Sequence, residues 1–155
     1  MSLLYVAFIS FLPLTESRAA IPIGVALGLN PFLVFIVSFL SNLVVFPILL
    51  FFLENLHKNF LKIKIYNKFS VKILEKIRGK VKPYLKWSWL GLALFVALPL
   101  PGSGVYSATL ATWFFGLKRK NAFYAIFLGL LFASTTILFA SIGVFEIFKH
   151  FLILK

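Results

Sequence analysis

The sequence predicts an all-α integral membrane protein, in which two opposed re-entrant helical hairpins and two transmembrane helices form an inverted repeat with a basic amphipathic helix between the halves. Three observations lead there. Hydrophobic residues make up 61% of the chain, against roughly 45–50% in soluble proteins. Ten of the 16 Lys and Arg lie between Lys58 and Lys86, opposed there by Glu75 alone. An uncharged run from Trp87 to Leu117 fits no simple span. At 155 residues the chain is read as one membrane domain, 1–155.

Residues 1–30 give the first hairpin. The apolar stretch from Ser2 to Thr15 is too short to span. Glu16-Ser17-Arg18 interrupts it, and Pro13 to Pro22 is placed near the tip. Asn30-Pro31 is a turn and helix-start signal. Residues 31–55 then read as a transmembrane helix, with Pro47 expected to kink it.

Residues 56–86 differ in kind. Lysines recur mostly four apart, and so do Leu61, Ile65, Phe69, Ile73 and Ile77. One face is therefore basic and the other apolar. Such a helix lies in the headgroup plane, with Lys62, Lys68, Lys72 and Lys76 against anionic lipid, or it is a solvated loop packed on the bundle. The pattern leaves both open. Clustered Lys and Arg mark the cytoplasmic side, and the partners this charge implies are membrane lipids rather than nucleic acid.

Residues 87–117 are about half again too long for one span and too short for two. Basic residues stand at both ends, at Lys86 and at Lys118-Arg119-Lys120. Pro99, Pro101, Gly102 and Gly104 break any straight helix at the centre. A hairpin that enters and leaves on the cytoplasmic side satisfies all of this. Backbone broken at that depth is tolerated where protein or a wet cavity covers it. Residues 121–147 form the second transmembrane helix, with Gly129, Ala133, Ser134 and Gly143 as close-packing surfaces. With 58–86 cytoplasmic, the two halves run in opposite senses, and Leu12-Pro13-Leu14 with Ser17 recurs at one offset as Leu98-Pro99-Leu100 with Ser103. The basic C-terminus then falls on the outer side, against the charge rule. The N-terminus lacks a basic n-region, so the chain from Met1 is read as mature protein.

Candidate chemistry is sparse. Cys and Asp are absent, and the four glutamates include Glu54 and Glu75 at or beyond the water boundary. No cofactor, metal site or catalytic residue is expected, and no nucleotide or nucleophile motif is present. Glu16 and Arg18 within a bilayer each cost about 2.5–3.5 kcal/mol on insertion scales. They form a cargo or proton site, or they are a structural pair or part of an ordinary external loop. Burial and a neighbouring guanidinium act on Glu16 in opposite senses, leaving its protonation state open. After the break, the N–H groups that start the helix from Val105 can hold an anion, with Ser103, Tyr106 and Thr109 adding hydroxyls; a tight turn without ligand is the other reading. Asn42 is either a helix-to-hairpin hydrogen bond or a cavity ligand.

Glu16-Ser17-Arg18-Ala19-Ala20-Ile21-Pro22, Ser41-Asn42 with Pro47, and Ala97-Leu98-Pro99-Leu100-Pro101-Gly102-Ser103-Gly104 resemble the small multi-drug export protein family over nearly the whole chain. Ala19 stands where that family's first motif has glycine, Ser41 where the first span has glycine, and Ser103 where the second motif has threonine. The family is similar to the wider DedA/VTT superfamily. That resemblance implies two facing embedded hairpins, movement of lipid-linked phosphates or phospholipids, and proton coupling in some members. Those roles would fall here to Glu16 and Arg18.

Three functions are therefore expected candidates. The leading one is a cell-membrane, multi-pass transporter or flippase for an anionic, lipid-linked cargo, with proton coupling as an option. Its substrate and proton pathway takes in Glu16, Arg18, Pro22, Asn42, Pro99, Pro101, Gly102, Ser103, Gly104, Tyr106 and Thr109; the cargo anion meets Arg18 and the N-terminus of the helix from Val105. The others are an exporter of cationic drugs using Glu16, and a non-transporting membrane-organising protein using the lysines. Two hairpins in so small a bundle have few neighbours to cover them, which points to a homodimer.

Overall fold

Asn30 and Gly116 set where the two long helices begin. The Asn30 side-chain oxygen accepts from the N–H groups of Phe32 and Leu33, at 3.0 and 3.4 Å, and Pro31 takes the first helical position. Gly116 adopts a φ of 68°, and Leu117 N–H closes back on Thr112 O at 3.0 Å. A side chain is strained at that φ, so the glycine ends one helix and lets the next start at Arg119.

The computed structural model describes residues 3–13, 15–60, 88–98 and 103–153, and these are helical with no strand among them. In chain order the helices are α1 (Leu3–Phe11), α2 (Glu16–Ala26), α3 (Pro31–Phe60), α4 (Ser88–Ala97), α5 (Val105–Phe115) and α6 (Arg119–Ile153). The predicted lipid-contact lysines Lys62, Lys68, Lys72 and Lys76 lie outside the described residues, as do Pro99, Pro101 and Gly102. The helix α3 runs on through Phe60, past the residues 31–55 expected to cross the membrane, while its span-length apolar part ends at Leu56.

Among the described residues, two helices are long and apolar enough to cross a bilayer. They are Pro31–Leu56, of 26 residues and mean hydropathy 2.6, and Arg119–Ile147, of 29 residues and mean hydropathy 2.2. Only 39% and 33% of their most apolar windows are buried. Leu40, Val44, Ile48, Phe51 and Phe52 on α3 are exposed, as are Tyr124, Leu128, Phe132 and Phe139 on α6. A core helix of a soluble protein would hide such side chains. Exposed apolar surface of this extent suits hydrocarbon, not water.

The four short helices make two helical hairpins. α1 and α2 pack on each other and on α3; α4 packs on α6 and touches α5. The second helix of each pair crosses over, α2 onto α6 and α5 onto α3. One apolar cluster, with Val6, Ile9, Ile21 and Val34, sits among α1, α2 and α3. A larger one, with Phe46, Val96, Val105 and Ile126, joins α3 to α4, α5 and α6. Gly129 lets α4 come close to α6: a Cβ there would stand 2.5 Å from the Ala93 carbonyl oxygen. In lipid, where helices gain nothing by hiding from water, such close contact drives association. Gly143, also expected to pack, instead faces open space.

One expectation about proline changes. Pro22 does not belong to the first tip; the break lies between Phe11 and Glu16, and Pro22 sits inside α2. The ring removes one hydrogen bond, to the Arg18 carbonyl, and the turns on either side carry the helix through. Pro47 lies inside α3, the helix expected to carry it.

Candidate functional site

The two helix breaks meet. Glu16 opens α2 with a φ of 45°, a left-handed conformation uncommon for a residue with a Cβ. This turns its side chain across the bundle toward the start of α5. Glu16 is 5% exposed; its Oε1 accepts from the Tyr106 N–H at 3.4 Å, and the carboxylate also meets the Val105 N–H. Gly104 is the N-cap of α5 and supplies no capping side chain. A Cβ at Gly104 would collide with the Glu16 carboxylate. Glu16 therefore caps a helix from another hairpin, with its negative charge on the positive end of the helix dipole.

Arg18, on the same first turn of α2, serves the opposite end of the second break. Its Nη2 donates to the Val96 carbonyl at 3.3 Å, the Leu98 carbonyl at 3.0 Å and Ser103 Oγ at 3.0 Å. Ser103 Oγ donates in turn to the Leu98 carbonyl at 2.7 Å. These carbonyls end α4, where orphan acceptors and the negative dipole end favour a cation. Nη1 of Arg18 lies 3.8 Å from Glu16 Oε2, at the outer limit of an ion pair. The pair is neutral overall but held loosely.

The first break is closed in the same manner. The Tyr106 hydroxyl, from the start of α5, donates to the Phe11 carbonyl at the end of α1. Thr15 Oγ1 donates to the Ile9 carbonyl at 2.6 Å. Each hairpin thus satisfies backbone groups freed in the other.

A second polar group lies one residue away. Oriented by its partners, the buried Asn42 amide donates to the Ser10 carbonyl at 2.5 Å and accepts from the Ser17 N–H at 2.7 Å and Ser17 Oγ at 3.0 Å. Ser10 Oγ meets Ser38 Oγ at 2.5 Å, and Ser134 Oγ meets Ser17 Oγ at 3.4 Å. These groups tie α3 and α6 to the first hairpin beneath Glu16.

Of the residues singled out by sequence, Glu16, Arg18, Ser103, Gly104 and Tyr106 come together. Asn42 joins them through Ser17. Pro22 stands farther along α2. The Thr109 hydroxyl bonds the Val105 carbonyl of its own helix at 2.6 Å and adds nothing to the cluster. The N–H groups expected to receive a cargo anion face Glu16 instead. Ser10, Ser38 and Ser134 were not singled out as hydrogen-bonding residues, though serines inside strongly apolar runs were the available signal. Among the described residues no three His, Cys, Asp or Glu gather as metal ligands.

A protein-family model described as "Putative small multi-drug export protein" matches residues 16–136, from Glu16 to past Ser134. No curated protein and no solved structure matches the chain.

Proposed function

The chain belongs to the small multi-drug export protein family, and on that premise we propose that it is a multi-pass exporter of cationic amphiphilic compounds in the cell membrane. The observation that carries this reading is the occupied end of α5. Glu16 already fills the position that an anionic cargo would take, so the site's exchangeable partner is a cation. Arg18 supplies that cation in the closed state, at a loose 3.8 Å. An entering ammonium group, or a proton, competes with Arg18 for the same carboxylate.

In this reading the two hairpins are re-entrant and the halves inverted. The short helices support it: nine to 11 residues each give roughly 14–17 Å, about half the hydrocarbon thickness. The crossing of α2 onto α6 and of α5 onto α3 is the exchange expected if two similar halves interlock. Release of Arg18 from Glu16 loosens both breaks at once and opens the Glu16 carboxylate to one face.

Arg18 favours a second reading. Its guanidinium rests on neutral carbonyls and a hydroxyl, partners a lipid-linked phosphate could displace. This is the flippase that the DedA/VTT resemblance implies. One pair of assays separates the two. Ethidium efflux from cells expressing the chain is expected to fall to background in Glu16→Gln and to persist in part in Glu16→Asp, at unchanged protein level. Wild-type efflux by Glu16→Gln would overturn the cation reading. Lipid-phosphate movement in liposomes, abolished by Arg18→Ala without any drug efflux by the parent chain, would put the second reading in its place.

A further inference from the structure

At the end of the bundle where α3 leaves its span and α6 begins, a cleft of about 470 Å³ opens between the two helices. Phe46 and Leu50 form its buried floor, while Phe51 and Tyr124 stand more than half exposed along it. Glu54, Arg119 and Lys120 line its mouth. Glu54 Oε2 lies 2.6 Å from Arg119 Nη2, which accounts for one of the two cations. Lys120 is exposed, and Lys118 precedes the pair in the chain. All these cations crowd the positive end of the α6 dipole, an arrangement that disfavours them unless a further anion is supplied. Among the described residues, Glu54 is the carboxylate that lines this mouth.

A charged mouth leading to an apolar trench between two bilayer-length helices matches an amphiphile with an anionic head and a hydrocarbon tail. We infer that this cleft binds an anionic glycerophospholipid, its phosphate against Lys120 and Arg119 and one acyl chain over Phe46 and Leu50 beside Phe51. A free phosphate would meet the cations but leave the aromatic floor uncovered. A cationic amphiphile would find the one carboxylate at the mouth already bonded to Arg119. The bound lipid spans α3 and α6, the helices that each hold one hairpin, and so fixes their separation. The site shares no residue with the Glu16–Arg18 cluster and stands whether or not the chain exports drugs.

The test uses the full chain in phosphatidylcholine nanodiscs, doped with photoactivatable phosphatidylglycerol or phosphatidylcholine. Labelling by phosphatidylglycerol is expected in peptides covering residues 46–54 and 119–124, at least about fivefold above phosphatidylcholine. One surface charge near lipid changes affinity about fivefold. Lys120→Gln therefore lowers labelling about fivefold, and Lys120→Glu about 25-fold. Glu54→Gln raises it, because it frees Arg119 for the phosphate. Lys120 is exposed, so its variants keep the fold. Equal labelling by both lipids, label spread along the outer face of α6, or indifference to these three variants would overturn the assignment. Loss of labelling with millimolar inorganic phosphate would also overturn it, in favour of a free-phosphate site.

Discussion

Replacing Gly104 with alanine tests the site most directly, because the backbone there is extended, with φ −87° and ψ −165°, and any residue can adopt it. The only obstacle is what the new methyl meets, and that is the Glu16 carboxylate. The carboxylate must withdraw from the start of α5. Hydrogen bonds to a charged group contribute about 1.5–3 kcal/mol, and a partly buried charge at a helix end up to about 2 kcal/mol. Gly104→Ala is then expected to destabilise the fold by about 2–4 kcal/mol. At about 2–4 °C per kcal/mol for a chain of this size, the melting temperature falls by about 4–16 °C. Tryptophan fluorescence in detergent micelles at one fixed scan rate measures it. The decisive comparison is a double-mutant cycle with Glu16→Ala. Once the carboxylate is gone the methyl has room, so Gly104→Ala in that background should cost less than about 0.5 kcal/mol. Gly91→Ala, whose Cβ meets nothing within 4 Å, is the control and should be neutral or stabilising. Additive losses from Gly104→Ala and Glu16→Ala would refute the claim that Glu16 caps α5.

Three further outcomes follow from the same geometry. Arg18→Lys should lower export at least about tenfold in the efflux assay, because the guanidinium reaches the α4 carbonyls and Ser103 through Nη2 and Glu16 through Nη1 at once, which a single ammonium nitrogen cannot do. Asn42→Leu leaves the Ser10 carbonyl and the Ser17 N–H without their partner, at about 1–3 kcal/mol for each, seen as a lower melting temperature. Gly129→Ala drives a methyl against the Ala93 backbone oxygen and should cost about 1–3 kcal/mol, whereas Gly143→Ala should change stability by less than about 0.5 kcal/mol.

The sequence made the helical, membrane-type architecture legible because apolar length and charge placement carry it directly. The two long helices and the two breaks follow from runs, prolines and glycines. Glu16 and Arg18 were legible because charges inside apolar sequence need partners. What the pattern left hidden is which partner each one meets. Glu16 lies on one hairpin and Gly104 on the other, and only the packing of α2 against α6 and α5 against α3 brings them into contact. The reading that a free helix end awaited an anion considered each hairpin alone. It missed that the chain carries its own anion for that end. Pro22 was misplaced for a related reason: proline marks a break only when the neighbouring turns cannot hold the helix together. Gly28-Leu29 and Gly116-Leu117, each with a positive-φ glycine just before a long helix, repeat at nearly the spacing of the tip motifs. That echo was readable in the sequence alone.

Glu16 and Arg18 are two residues apart on one turn of one helix, and this spacing bears on how the bundle can move. The carboxylate holds the start of α5 and the guanidinium holds the end of α4. A shift of α2 therefore removes both from the second hairpin together; neither half of that break can be released alone. The Tyr106 hydroxyl extends the coupling in the other direction, because displacement of α5 withdraws the donor from the end of α1. Partial opening exposes charged and backbone groups in a sheltered interior, where each unmatched group is costly. Intermediate positions are disfavoured relative to fully clasped or fully parted hairpins. Under the proposed export reading, this reciprocal capping is what would make the two breaks part together, as alternating exposure of a site in the membrane requires.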